Sequence, residues 1–440
     1  MHGAEPDYPA PATNSPGVAE GAALRDWLAT QRDDRSPGAG RPRSRTRLLI
    51  LGVVGVLVVG AATTTVVLAS GRAGPRHGGP APHRTAPVGA GGGGPSTVPS
   101  SIVPPAAVDP GRTVSLSATG DIVMGSAPDA LPPAGARDFF ADVADVLRAD
   151  IQMGNLEQPL TEDTGFRKCP PPATTPPGSP PPKINCFAFR SPPGYATVLR
   201  DAGFRLVNLA NNHAYDFGAE GNRQTRAALD TAGIAYTGAP GEVTVVETNG
   251  MKIAVLGFSS YPWSQSVVDV EAAAGLVARA KQRADLVVVQ MHVGAEGADQ
   301  THVRPGTELF LGENRGDSIK FGHAVVDAGA DLVIGHGPHV MRAMEFYRDR
   351  LIAYSLGNFA GYRTLGFAGM VGVGGVLKVS LRRDGTYAGG SLVATRLVAP
   401  GRPAKDPANR AIALVRGLVE ADLPTTGVRI GDDGAITARS

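Results

Sequence analysis

The sequence predicts an α/β domain with a largely parallel central sheet, which begins near residue 113 and follows a membrane-spanning segment. Three observations carry this prediction. Apolar, β-branched runs alternate with helical stretches, as in strand–helix units of a parallel sheet. Polar side chains that could bind a ligand follow six of these runs. A long uncharged run precedes the domain.

Length and composition limit the class of protein. The 440 residues suffice for one large domain or two ordinary ones. The 58 glycines and 37 prolines predict that part of the chain is unstructured. A formal charge of +2 and an aromatic fraction of 5% give no signal for nucleic-acid binding, so we expect no nucleic-acid partner.

The uncharged run, "LLILGVVGVLVVGAATTTVVLAS" at residues 48–70, is long enough for a transmembrane helix, since about 20 apolar residues cross a bilayer. Arginines are more frequent just before it than just after it. Because positive charge stays on the cytoplasmic side, we expect residues 1–47 inside the cell and the chain after residue 70 outside. A cleaved signal peptide is the alternative, but the long leader favours a retained single-pass anchor.

The remaining boundaries follow from changes in composition. Residues 1–47 are polar and rich in proline and glycine, which predicts a disordered cytoplasmic tail. Residues 71–112 predict a flexible Gly/Pro-rich linker. The domain is predicted at 113–400, and residues 401–440 contain one helical stretch, "ANRAIALVRGLVEA", and a tail.

The domain's elements follow from apolar periodicity. The predicted strands include "VSLSAT", "DIQMGN", "FRLVNLA", "KIAVLGF", "DLVVVQM", "DLVIG" and "LIAYSL". The predicted helices are "GNRQTRAALDTA", "VEAAAGLVARAKQRA" and "SIKFGHAVVDAGA". A later antiparallel hairpin is predicted around "RRDGT".

Two cysteines, Cys169 and Cys186, bracket a proline-rich loop. Outside the cytosol a disulfide would close this loop and restrict its freedom in the unfolded chain. A metal site built on the pair would need more ligands than the loop supplies. We therefore predict a disulfide, which agrees with the topology drawn from the arginines.

The polar residues after the strands form the candidate site. Ligands bind beyond the carboxyl ends of the strands in an open α/β sheet, so we expect these side chains to share one edge. A lone aspartate there is usually a helix cap, and a lone histidine is usually a hydrogen-bonded structural residue. Burying so many unpaired polar groups would cost several kcal/mol, which a metal ion removes. The candidates are Asp121, Glu157, Asn211, Asn212, His213, Asp216, His292, Glu296, His336, His339 and Asn358.

The chemistry of this set indicates a divalent metal. Nitrogen and oxygen donors without thiolate fit Mn²⁺, Zn²⁺ or Fe²⁺ and argue against a cysteine-rich structural zinc. The set is about large enough for two ions that share a hydroxide, an arrangement that clamps the attacking and leaving oxygens of phosphoryl transfer. In "GHGPHV", at 335–340, the glycine and proline would let both imidazoles converge.

Six motifs in chain order carry a resemblance to a known family: "TGDIVMG", "GNLEQPL", "NLANNHAYDFGAEG", "MHVGAE", "GHGPHV" and "SLGNF". Over roughly residues 114–360 they resemble the CapA family of poly-γ-glutamate capsule synthesis proteins. The resemblance implies a calcineurin-like metallophosphatase fold, with two packed sheets flanked by helices. It also implies a bacterial membrane protein whose domain lies outside the cell.

The resemblance also assigns roles to the candidates. One metal would be held by Asp121, Glu157 and His339, and the other by Asn212, His292 and His336. His213 would be the general acid or an orienting group near the leaving oxygen. The substrate rim would be lined by Asn211, Asp216, Glu296 and Asn358. Val123 stands where metallophosphatases usually place a histidine, so the first site lacks one usual ligand.

Three functions remain open at this point. The first is a membrane-anchored, metal-dependent hydrolase of phosphoester-like bonds in capsule or envelope polymer metabolism. The second is a non-catalytic subunit that handles or exports polymer, with poly-γ-glutamate and capsule synthase subunits as partners. The third takes the strand-end residues as helix caps and predicts no metal. His302 and His323 are predicted to be structural, and a contact of His302 with substrate is the alternative for that residue.

Overall fold

The computed structural model describes residues 112–169 and 186–439. The predicted tail, the predicted membrane segment and all but the last residue of the predicted linker lie outside these residues. Within the described part of the chain, no helix combines the length and apolar character needed to cross a bilayer. The membrane anchor therefore stays a prediction.

The first sheet contains eight strands in the order β17-β16-β15-β1-β2-β3-β4, with β14 paired to β1. Strands β1 to β4 and β14 pair with one another in parallel, whereas β15 to β17 form an antiparallel extension that joins β1 through β15. The hairpin predicted around "RRDGT" is β15–β16. The bounds are β1 (Thr113–Val123), β2 (Ile151–Leu156), β3 (Leu206–Asn208), β4 (Ala235–Thr237), β14 (Asn358–Gly361), β15 (Val373–Arg382), β16 (Tyr387–Val398) and β17 (Arg402–Lys405).

The second sheet contains seven strands in the order β12-β13-β11-β8-β6-β5, with β7 paired to β6. Its centre is parallel, and the edge strands β5 and β12 are antiparallel. The bounds are β5 (Thr244–Thr248), β6 (Met251–Ser259), β7 (Gln265–Ser266), β8 (Leu286–His292), β11 (Leu332–His336), β12 (Met344–Tyr347) and β13 (Arg350–Ala353). Two short ribbons pair β9 (Leu309–Phe310) with β10 (Glu313–Asn314), and β18 (Arg429–Ile430) with β19 (Ile436–Thr437).

The helices connect and cover the sheets. They are α1 (Ala144–Leu147), α2 (Tyr195–Asp201), α3 (Gly218–Ala232), α4 (Val270–Lys281), α5 (Ser318–Asp327) and α6 (Arg410–Asp422). Aspartate side chains accept hydrogen bonds from the first turns of α4 and α5: Asp269 from the Ala272 amide and Asp317 from the Lys320 amide. Such caps satisfy amides that have no partner within the helix.

Both sheets contribute to one hydrophobic core. Leu116 and Met153 of the first sheet share it with Val255, Val289 and Ile334 of the second. The fold is therefore mixed α/β with two sheets, as the family resemblance implies, and not the single central sheet that the alternation of elements predicts. Periodicity shows that a strand is buried on both faces, but it does not show which strand is its neighbour.

Candidate metal centre

The carboxyl ends of the parallel strands in both sheets meet at one edge. In the first sheet Asp121 lies beside Asn155 on the neighbouring strand, and in the second His292 lies beside His336. Contacts join the two sheets there. Asn155 Nδ2 is 3.4 Å from His292 Nδ1, and His336 Nδ1 is 3.8 Å from Asp121 Oδ1.

Three side chains form the centre of this edge. Ligand atoms of Asp121, Glu157 and His339 all lie within 4.8 Å of one another. His339 Nδ1 is 3.2 Å from Asp121 Oδ2, and His339 Nε2 is 3.7 Å from Glu157 Oε1. Both carboxylates are fully buried, and the imidazole is 14% exposed.

The backbone is shaped to let these residues converge. Gly120 packs so closely on residue 357 that a Cβ there would overlap the Gly357 carbonyl oxygen. Gly337 has φ +110°, and a Cβ at this position would lie 3.2 Å from His292 Nε2. His339 itself has φ +60°, a left-handed conformation that costs energy for a residue other than glycine. The glycines and the strained histidine of "GHGPHV" thus bring the imidazoles to one point.

Unpaired buried atoms test whether a metal fits. Neither carboxylate oxygen of Glu157 has a hydrogen-bond partner, and His336 Nδ1 has none either. An unpaired buried carboxylate is costly unless a cation neutralises it. The donors are carboxylate oxygens and imidazole nitrogens, which suit a divalent cation. The residues therefore fit one divalent ion at Asp121, Glu157 and His339.

The charges of the three residues lead to the same conclusion. Burial and the neighbouring Asp121 carboxylate raise the pKa of Glu157 well above its ordinary value. Burial also raises the pKa of Asp121, but the hydrogen bond and charge of His339 outweigh it and bring that pKa below its ordinary range. Burial lowers the pKa of His339, yet Glu157 and Asp121 together raise it to about 10. A divalent cation would take over the role of that proton.

A chain of amides orients the Asp121 carboxylate. Asn155 Nδ2 donates to Asp121 Oδ1 at 2.8 Å. Asn155 Oδ1 in turn accepts hydrogen bonds from Asn208 Nδ2 and Asn211 Nδ2, each at 3.0 Å. Asn211, predicted at the substrate rim, is fully buried. It therefore positions other side chains.

Two further residues predicted at the rim are also buried. Asn358 Oδ1 lies 2.8 Å from His339 Nδ1 and is 1% exposed, so it helps to orient that imidazole. Asp216 is fully buried, and its carboxylate contacts the His213 imidazole. Glu296 has a side chain that is 16% exposed and a carboxylate oxygen 3.6 Å from His339 Nε2, so it lies between the site and solvent.

His213 is held by Asp216 through a contact of 2.7 Å between His213 Nδ1 and Asp216 Oδ2. Asp216 also bonds the Phe189 amide and Lys168 Nζ, which fixes its position. Burial lowers the pKa of His213, and Asp216 offsets part of this effect. With Nδ1 engaged by a carboxylate, Nε2 is the nitrogen that remains for proton transfer.

The three residues predicted to hold a second metal lie around the first cluster. His292 Nε2 is 3.8 Å from Glu157 Oε1, and His336 Nδ1 faces Asp121. Burial lowers the pKa of His336 to about 4, so its imidazole is neutral near pH 7. Asn212 Nδ2 donates to Glu296 Oε1 at 3.4 Å, while its Oδ1 is buried without a partner.

Sequence reasoning missed Arg315, whose side chain is 1% exposed and lies 3.4 Å from His292 Nε2. Arg315 follows the β9–β10 ribbon, in a segment without the apolar periodicity that would predict a buried residue. The only signal is the extra length of the stretch between "MHVGAE" and "GHGPHV". His302 and His323 lie in or after this stretch and pair with Asp422 and Glu345.

Comparison with known proteins places the chain in a family. The model described as bacterial capsule synthesis protein PGA_cap matches residues 115–362. The PGA biosynthesis protein CapA of Bacillus subtilis is 30% identical over 265 residues, which cover 56% of this chain and 63% of that protein. The capsule biosynthesis protein CapA of Bacillus anthracis is 30% identical over 271 residues, which cover 56% of this chain and 59% of that protein. The chain thus spans less than two thirds of each relative.

Among solved structures, the 5′-nucleotidase precursor of Thermus thermophilus aligns with a TM-score of 0.36 and 14% identity. The alignment covers 70% of this chain and 59% of that one. A likeness this low supports no inference about activity. The family match and the two relatives decide the assignment and confirm the resemblance carried by the six motifs: the chain belongs to the PGA_cap family of bacterial capsule synthesis proteins, the family of CapA.

Proposed function

We propose that this protein is a membrane-anchored, extracytoplasmic CapA-like protein that acts in the synthesis or export of poly-γ-glutamate or a related envelope polymer. We further propose that its domain is a calcineurin-like metallophosphatase fold with a metal-dependent, phosphoesterase-like hydrolase site. Family membership and the names of the Bacillus relatives support the first part. The second part depends on one observation, the buried cluster of Asp121, Glu157 and His339 with unpaired carboxylate oxygens.

Each residue of the site has a task in this proposal. Asp121, Glu157 and His339 would hold a divalent ion, and the mixed nitrogen and oxygen donors fit Mn²⁺, Zn²⁺ or Fe²⁺. Such an ion would act as a Lewis acid and would activate a bound water. Asn155 keeps the Asp121 carboxylate in one orientation. His213 would exchange a proton with the substrate at Nε2 while Asp216 holds its ring.

The proposed location outside the cell has its own support. The structure joins Cys169 and Cys186 in a disulfide, and such bonds persist mainly in oxidising compartments. The uncharged segment at 48–70 and the arginines before it favour a cytoplasmic N-terminus. Protease treatment of intact cells tests this topology. A tag after residue 440 should be removed, and a tag before residue 1 should be protected.

Hydrolysis of an aryl phosphodiester by the full chain in detergent, with added Mn²⁺, tests the site. We expect turnover that is lost in His213→Gln, because the proton-transfer group is removed. The matched control is His323→Gln, which removes an imidazole that pairs with Glu345 outside the site. It should retain activity.

A second outcome would favour a different function. If the pure protein holds metal but hydrolyses no phosphoester, and still binds poly-γ-glutamate or capsule synthase subunits, it is a non-catalytic polymer-handling subunit. If it holds no metal under any condition, the proposed site is wrong.

A further inference from the structure

Arg315 is a buried cation beside the metal centre that none of the six motifs contains. Its Nη2 donates to Glu296 Oε1 at 2.6 Å, and its Nη1 donates to the Tyr261 hydroxyl at 2.9 Å. The rings of Tyr261 and Phe310 lie 5.6 Å from the guanidinium carbon. These contacts fix the guanidinium in one place.

The Arg315 guanidinium lies beside the residues that a second metal would need as ligands. Arg315 Nη2 is 3.4 Å from His292 Nε2, which is the nitrogen that also faces Glu157 Oε1 at 3.8 Å. A metal on this nitrogen would lie about 2.0–2.1 Å from it. It would then meet the guanidinium at close range, and two cations in a buried site repel strongly. The Glu296 carboxylate is already paired with Arg315 and so is not free to hold a second ion.

The charges around the centre balance with one divalent ion. When metal binding has displaced the protons of Glu157 and His339, the carboxylates of Asp121, Glu157 and Glu296 bring three negative charges, and the Arg315 guanidinium brings one positive charge. One divalent cation makes the group neutral. A second would leave two positive charges, of which a shared hydroxide removes only one, and an uncompensated buried charge is strongly unfavourable. Glu313, 3.6 Å from Arg315, has a side chain that is 32% exposed and is screened by water.

We infer that the centre holds a single divalent cation at Asp121, Glu157 and His339, and that the guanidinium of Arg315 takes the place of a second metal. This inference rests on the proposed metal site. It reassigns His292 from a ligand of a second ion to a neighbour of a fixed cation, and it keeps Glu296 paired with that cation. Arg315 then supplies a permanent positive charge next to the reacting group, where a dinuclear centre would use its second ion.

Metal counting on the full chain in detergent tests the inference without measuring activity. The protein is stripped with chelator, titrated with Mn²⁺ by equilibrium dialysis, and examined by electron paramagnetic resonance. We expect one equivalent of Mn²⁺ and the spectrum of an isolated ion. Two equivalents with the spectrum of a spin-coupled pair would overturn the inference but leave the proposed function intact. Absence of binding would overturn the proposed metal site and the hydrolase function that depends on it.

Two variants then test the role of Arg315. Arg315→Ala frees His292 and Glu296 and removes the repelling charge, so binding should rise towards two equivalents. Arg315→Lys keeps a positive charge and should stay at one. If Arg315→Ala keeps the wild-type circular dichroism and still binds one equivalent, the guanidinium is not what excludes a second ion. If Arg315→Ala does not fold, the count on the unmodified protein still decides between one ion and two, and more than one equivalent in Arg315→Lys would contradict the role of the positive charge.

Discussion

Replacement of Glu308 by glutamine tests how strongly a buried ion pair supports the loop that carries Glu296. The Arg342 side chain is fully buried and donates to both oxygens of Glu308, at 2.8 and 2.7 Å. Glu308 Oε2 also accepts a hydrogen bond from the Ala295 amide. Glu308→Gln leaves the guanidinium buried without a counter-charge, which costs about 3–5 kcal/mol. Because glutamine keeps one acceptor oxygen, we expect a loss of about 3 kcal/mol.

Thermal unfolding followed by circular dichroism measures this loss. At about 2–4 °C per kcal/mol for a large domain, we expect Tm to fall by roughly 6 °C or more. The control is Glu247→Gln, because Glu247 and its partner Lys252 are both more than half exposed, and we expect no resolvable change. The double variant Glu308→Gln with Arg342→Met should recover part of the loss, since no unpaired charge remains. A Tm for Glu308→Gln equal to that of the wild type would refute the reasoning.

Three further predictions follow from the described contacts. Cys186→Ser opens a disulfide with a sequence separation of 17, so stability should fall by about 3 kcal/mol, and an unchanged Tm would contradict this. Gly337→Ala forces a Cβ to 3.2 Å from His292 Nε2 at φ +110°, so Mn²⁺ affinity should fall about tenfold or more in a titration, and unchanged affinity would argue against the geometry. Burial raises the pKa of Glu308, but Arg342 lowers that pKa by more, so the pKa in the folded protein lies below the ordinary value of 4.5. The stabilising effect of the Glu308 carboxylate is therefore complete above pH 4.5 and is lost as the pH falls through the folded pKa. The Tm gap between wild type and Glu308→Gln should therefore narrow below that pH, and a constant gap would contradict the assignment.

The convergence of Asp121, Glu157 and His339 could be predicted from sequence because it depends on a general rule. Parallel strands of any such sheet present their carboxyl ends on one side. Residues that follow several strands can therefore be expected to lie together even when the order of the strands is unknown. The rule holds here although β1 and β2 belong to one sheet and β11 to the other.

The remaining features depend on packing that leaves no periodic mark. Arg315 reaches the site from a short ribbon, and a single arginine in a loop is most often a solvated side chain. Asn211 follows a strand, as a rim residue would, but its side chain turns inward to bond the Asn155 side chain and the Leu156 carbonyl of a neighbouring strand. The sequence of a strand predicts the edge of the sheet at which a residue lies, but the burial of its side chain depends on the residues packed around it.

The contact between Gly120 and Gly357 has a consequence for biogenesis. The first and last contributors to the centre, Asp121 and Asn358, are neighbours in the pairing of β1 with β14, although most of the described chain separates them in sequence. A polypeptide that has not yet added its β14 segment lacks Asn358, whose Oδ1 lies 2.8 Å from His339 Nδ1. The proposed metal site is therefore complete only after β14 has paired with β1, so cation binding would follow that step of folding.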